Sequence, residues 1–263
     1  MTLRGLRRRR TVKINDKAVS EAIGFILILG IVITGISLVT LYGYPVLLKE
    51  QSNTDVKNME RAMIVIQNDM KSLCFKNVPY KETSLQVSGG TLEVINATSY
   101  GGSINVSNST DSWDYSVGAL IYRSDRSNEV ITLENGAVMT RQDGSTGSAM
   151  LAEPRWFYDV NPTTGEKTFV VYIMNITTDD LMAKSGMATV RMSLENTATE
   201  VYISPGDVTV TYTTDSDNDL TVAWENYLTG GSVGMHKTTP NEYERDNVDK
   251  LVIKEYEIKI HDI

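Results

Sequence analysis

From Ala22 to Leu48 the chain runs for 27 residues without a charged side chain. About 20 helical residues at ~1.5 Å rise cross a ~30 Å hydrocarbon core, so the run predicts a membrane-spanning helix. The alternative for such a run is a buried core helix. A secretory signal has an apolar region of only about 7–15 residues followed by a small-residue cleavage site, whereas this run is longer and leads into Tyr-Gly-Tyr-Pro. Tyr42 and Tyr44 fall where an interfacial aromatic belt would sit, and Gly43 and Pro45 predict a kink or break there. Beyond Lys49 the pattern changes. Val56, Met59, Met63, Ile66, Met70 and Leu73 recur at spacings of three and four, with charged residues off that stripe, which predicts an amphipathic helix packed on the chain's own sheet.

After Pro79 the period drops to two. Leu85–Val87 and Thr91–Val94 flank Ser88-Gly89-Gly90 and read as a β-hairpin. Further strands are expected at Ser103–Val106, Ala119–Tyr122, Val130–Leu133, Thr168–Ile173, Ala188–Leu194, Val208–Thr213, Leu220–Trp224 and Leu251–Ile260, separated by turn signals such as Glu134-Asn-Gly136 and Ser204-Pro-Gly206. Tyr100–Asp114, rich in Ser, Gly and Asn, reads as a surface loop around the first of these strands. The expected architecture is α+β: a leader (1–21), a transmembrane helix (22–48), an amphipathic helix (49–77) and an antiparallel β-rich head (78–263), either a sandwich or a curled single sheet.

Charge gives this layout a direction. The net charge of −8 divides into seven bases against two acids over residues 1–21, and 18 against 31 over the remainder. The positive-inside rule keeps the basic end cytoplasmic and exports the chain beyond the span. The acidic remainder argues against nucleic acid as a partner and leaves membrane lipid as the expected one. One cysteine, Cys74, excludes an intramolecular disulfide and any CxxC site, and it reads as a small buried hydrophobe.

Candidate chemistry is sparse. Gly30 and Thr34 form a small-xxx-small pair that permits close helix approach, although glycine is also simply common in such helices. Asn96, Asn105, Asn108 and Asn175 head Asn-x-Ser/Thr sequons, which are glycosylation candidates if the head is exported. Asp215, Asp217 and Asp219 resemble the opening of a calcium loop, but Leu220 and Asn226 stand where the loop glycine and bidentate glutamate belong, so an acidic turn between two strands is expected. No nucleophile elbow, zinc-protease helix or phosphate loop is present, and His236 and His261 show no recognisable sequence partner. The expectation is a non-enzyme that needs no cofactor.

The segment Ala18-Val19-Ser20-Glu21-Ala22-Ile23-Gly24, running into the apolar helix, resembles the start of archaeal type IV pilins, with Glu21 in place of their usual proline. The resemblance implies cleavage by a pilin-type signal peptidase between Ala18 and Val19, on the cytoplasmic side. It extends to a family of archaeal pilin-like secreted proteins of unknown function, through Asn58-Met-Glu-Arg-Ala62, Glu134-Asn-Gly-Ala-Val138 and Glu153-Pro154. It implies other pilin-like subunits, or further copies of this chain, as partners of the N-terminal helix, and a role as a minor pilin or accessory subunit. The alternative is a permanently anchored surface module that binds or adheres through its head.

Overall fold

The structure, a computed structural model, describes residues 16–76 and 78–263, with side chains from Ser20 onward. The chain divides into two compact units, residues 1–51 and 52–263.

In the first unit, α1 (Asp16–Leu38) leads through a π-helical turn (Val39–Gly43) into the start of α2 (Tyr44–Lys76). The sequence predicts a kink or break at Gly43–Pro45, and the chain stays helical there by loosening one turn. Pro45 has no amide proton to give its i−4 carbonyl, and the neighbouring Tyr44 N–H donates to the Val39 carbonyl five residues back. The hydroxyls of Thr34, Ser37 and Thr40 donate to the carbonyls of Gly30, Ile33 and Ile36 at 2.8–2.9 Å, so these three have a partner without water. From Ile23 to Leu47 the large apolar side chains are exposed, Phe25 at 67% and Ile31 at 73%.

In the second unit the stripe read from the sequence faces inward: Val56, Met59, Met63, Ile66, Met70 and Leu73 are all at most 3% exposed. Asp69 ties the helix to the sheet, accepting from Thr83 Oγ1 (2.6 Å) and pairing with Lys81 (3.0 Å). Cys74 is buried beside this stripe, and burial pushes its thiol up to about 12.

The strands are β1 (Tyr80–Ile95), β2 (Ser103–Ser107), β3 (Ser112–Ser116), β4 (Ala119–Ser124), β5 (Glu129–Glu134), β6 (Ala137–Gln142), β7 (Ser148–Ala152), β8 (Phe157–Val160), β9 (Lys167–Thr177), β10 (Met182–Thr213), β11 (His236–Thr239) and β12 (Glu242–Asp262). All twelve join in one sheet of order β7-β6-β5-β4-β1-β10-β12-β9-β8, with β2-β3 hung on the end of β10 and β11 on β12. Of the two architectures expected, a single sheet is the one found.

Alternate residues of β4 serve two cores. Leu120 and Tyr122 join the helix stripe, while Ala119 and Ile121 join a second cluster with Phe169, Tyr212 and a short helix, α3 (Thr221–Leu228). The 32-residue β10 links three partner strands. Its first part pairs with β1 and its last with β2. Between Leu194 and Val208 it pairs only with β12 among the described residues.

Three expectations are corrected. First, Gly89-Gly90 is no hairpin turn: β1 runs straight through it with a register shift between Val87 and Leu92, and Gly89 takes φ +61°. The sequence signal marks a bulge in the β1–β10 ladder, beyond which β1 keeps β10 from Leu92 to Val94 and takes β4 on its other edge. A side chain on Gly90 would strike the Arg123 carbonyl and come within 2.6 Å of the Tyr122 ring. Second, Leu220–Trp224 is not a strand; it opens α3, because a short apolar run carries no period long enough to separate helix from strand. Third, the sheet is mixed rather than antiparallel, since β9 and β12 pair in parallel from Thr168↔Lys250 to Thr177↔Lys259. The region expected as a loop around Ser103–Val106 is the β2–β3 hairpin.

Candidate functional site

The turn Glu134-Asn135-Gly136-Ala137 joins β5 to β6 with φ of +47° and +73° at its two central residues, the signs a type I′ hairpin needs. It is buried, and its oxygen atoms are engaged, while the Asn135 side-chain amide nitrogen has no hydrogen-bond partner among the described residues. Asn135 Oδ1 accepts the Met174 N–H at 2.7 Å. Gln67 of α2 donates to the Gly136 carbonyl (2.7 Å) and to that of Glu153 (3.0 Å), which Lys71 also reaches at 3.1 Å. The Glu-Asn-Gly and Glu-Pro segments singled out in the sequence therefore meet at one point on the amphipathic helix.

Glu134 points from this turn into the second core and is fully buried. Tyr100 donates to its Oε2 at 2.6 Å, Tyr212 to the same oxygen at 3.4 Å, and the Trp224 indole to Oε1 at 3.0 Å. Asn218 extends the network, donating to Thr132 Oγ1 (2.8 Å) and Tyr100 Oη (3.3 Å) and accepting from Arg141 Nε (2.9 Å). Loss of hydration outweighs these hydrogen bonds and raises the Glu134 carboxyl from 4.5 to about 7. Tyr100 and Tyr212 lie well above their usual range for the same reason, with the Glu134 charge adding to it. The site is closed to solvent, so this network holds β5, the end of β10 and α3 together. In the sequence this region shows only a turn, because the partners lie 34 to 90 residues away.

The other sequence candidates are dispersed. Residues 1–15 of the leader lie outside the described residues, and Ala18 and Val19 sit in the first turns of α1, their side chains outside the description. Gly30 and Thr34 line a shallow apolar groove along α1 with Ile26 and Leu38. Asn96 donates its amide to the Thr178 carbonyl (2.8 Å) and Asn105 to Ser112 Oγ (3.0 Å). Asn175 accepts the Gly118 N–H at 3.2 Å and lines a cleft with Tyr115 and Glu255. Asn108 lies at the tip of the β2–β3 hairpin, its side-chain carbonyl taking the amides of Thr110 (2.8 Å) and Asp111 (2.6 Å). The acidic turn links β10 to α3, not to a strand. Asp215 accepts from the amides of Gly101 and Asp217 at 2.9 Å, and Asp219 from that of Thr221 at 3.0 Å.

Both histidines have partners that the linear sequence does not reveal. His236 on β11 stands opposite Glu244 on β12, with Nε2–Oε1 and Nδ1–Oδ2(Asp246) distances of 3.7 Å each. His261 Nε2 lies 2.7 Å from Ser193 Oγ, whose hydroxyl also reaches Glu195 at 2.6 Å. A nucleophilic triad needs its carboxylate on the far imidazole nitrogen; Glu195 lies on the serine side, 3.9 Å from the same Nε2. Cross-strand register creates these pairs, and it is invisible before the strands are aligned.

One long apolar helix and a large mixed-sheet domain thus define the class. Among the described residues one helix is long and apolar enough to cross a membrane, with mean hydropathy 2.7 in its best window and none of that window buried; a signal sequence near the N-terminus passes the same test. Residues 17–260 match a family of unknown function, DUF7289, and the chain belongs to that family. No curated protein and no solved structure matches it significantly.

Proposed function

We propose that this chain is a single-pass cell-surface protein of the archaeal type IV pilin-like kind, a minor pilin or accessory subunit whose non-catalytic β-rich head is carried outside the cell. The observation that carries the reading is the apolar helix, which presents its whole circumference to its surroundings over more than twenty residues. In water that surface would be untenable; in lipid, or packed among like helices, it is at rest. The basic leader and acidic remainder support export of the head. The Ala18–Gly24 segment supports processing by a pilin-type peptidase. The second reading, a permanently anchored binding module, is favoured by Glu21, which departs from the pilin pattern at that segment.

Edman sequencing of the protein extracted from membranes separates the two. A mature chain beginning at Val19 is expected, and one still beginning at Met1 or Thr2 would overturn the pilin-like reading. Export has a second consequence. Asn108 sits on a hairpin tip with exposed neighbours, while the side-chain amides of Asn96 and Asn105 are engaged within the fold. Glycopeptide mapping of the native protein should therefore find Asn108 the most heavily occupied of the four sequons. Occupancy confined to Asn96 would contradict this.

A further inference from the structure

Glu244, Arg245 and Asp246 alternate along β12, so the two carboxylates share the outward face while Arg245 turns in to stack on Tyr158 at 3.7 Å and to donate to the Gly234 carbonyl. His236 is the cross-strand neighbour of Glu244 and stands on that same outward face. One ligand atom from each of the three side chains falls within 4.8 Å of the others. The ion pairs that Glu244 and Asp246 make among the described residues are both with His236, and the nearby cation Lys237 is committed to Glu225 at 2.7 Å.

We propose that His236, Glu244 and Asp246 form a surface site for a borderline divalent transition-metal ion, with zinc as its representative. One imidazole nitrogen and two carboxylate oxygens are a donor set suited to zinc-like ions; hard calcium gains little from imidazole. Zinc–ligand bonds of about 2.0–2.2 Å in tetrahedral geometry put neighbouring donors roughly 3.4 Å apart. The three donor atoms, one per side chain, now lie within 4.8 Å of one another, and the two 3.7 Å contacts use opposite nitrogens of His236, so binding requires the side chains to turn until both carboxylates meet the ion held by one of those nitrogens. The two carboxylates neutralise the ion, and three protein ligands leave a coordination position for water or for a donor from another molecule. The paired strands β11 and β12 supply the framework, and the inward anchoring of Arg245 fixes which way its two neighbours point.

Isothermal titration of the full-length protein in detergent, zinc chloride against calcium chloride, tests this. One saturable zinc ion per chain is expected, with calcium binding absent or far weaker. His236→Ala should weaken zinc binding at least about tenfold, as should the Glu244→Gln/Asp246→Asn double variant, while His261→Ala, which removes the other histidine, should leave it unchanged. Proton NMR of the two imidazoles gives an independent reading, in which zinc should shift His236 and spare His261. No saturable zinc binding, or binding that survives His236→Ala or the double variant, would overturn the proposal. These side chains are exposed or half-buried, and unchanged circular dichroism in the variants checks that the fold is intact.

Discussion

Glu134→Gln should make the protein more stable than the wild type above pH 7, with the gap shrinking to nothing near pH 4.5. The carboxyl titrates at 4.5 when exposed and at about 7 in the fold, because burial opposes its charge. Between those values the unfolded chain releases a proton that the folded chain keeps. Stability therefore falls as pH rises from 4.5 to 7 and levels off beyond. The shift corresponds to about 3 kcal/mol. Glutamine is neutral throughout and can accept from the Trp224 indole as the protonated acid does. Glu134→Leu should behave oppositely at pH 5, losing roughly 3–5 kcal/mol because the Trp224 and Tyr100 donors are left buried without their acceptor. Urea unfolding in detergent, followed by Trp224-sensitive fluorescence, measures both. A wild type and Glu134→Gln pair that run parallel from pH 4.5 to 8 would show that burial does not penalise the carboxylate.

The second large effect belongs to the helix stripe. Met63→Lys should cost more than about 4 kcal/mol, enough to unfold a domain of ordinary stability. Met63 is fully buried in the apolar cluster that contains Leu120, Tyr122, Ile131 and Leu133. Two residues on, Val65 is half exposed, and Val65→Lys should stay within about 0.5 kcal/mol. The contrast is read by the same denaturation curves. Equal losses at both positions would mean that the helix does not bury this face.

How far each sequence signal reaches along the chain decides how legible it is. The apolar span is read from its unbroken length and the six-residue stripe from its helical period, so residues a few places apart are enough to read them. The strands Ala119–Tyr122 and Val130–Leu133 are legible for the same local reason. Gly89-Gly90 misleads because a positive φ serves a bulge as well as a turn, and Leu220–Trp224 misleads because five residues carry no decisive period. The parallel pairing of β9 with β12 lies beyond reach, since strand direction is settled by chain routing. The polar sites are the least legible part. Tyr100, Glu134, Tyr212, Asn218 and Trp224 form one network from three separated stretches of chain, and each alone is an ordinary residue. His236 finds its carboxylates only through the β11–β12 register.

The stretch of β10 between Leu194 and Val208, with β12 on one side only, sets a condition on how copies of this protein can crowd together. A bare strand edge is a rail of amides and carbonyls onto which a stray strand can zip, the first step towards an insoluble ribbon. Val201 and Ile203, half or more exposed, add grease to that rail. Against this stand Glu195 and Glu200 along it, the kink at Ser204-Pro205-Gly206, and an acidic surface on every approaching copy. Dense packing of copies is then governed by salt: as ionic strength rises and the mutual repulsion is screened, the guard on that edge weakens.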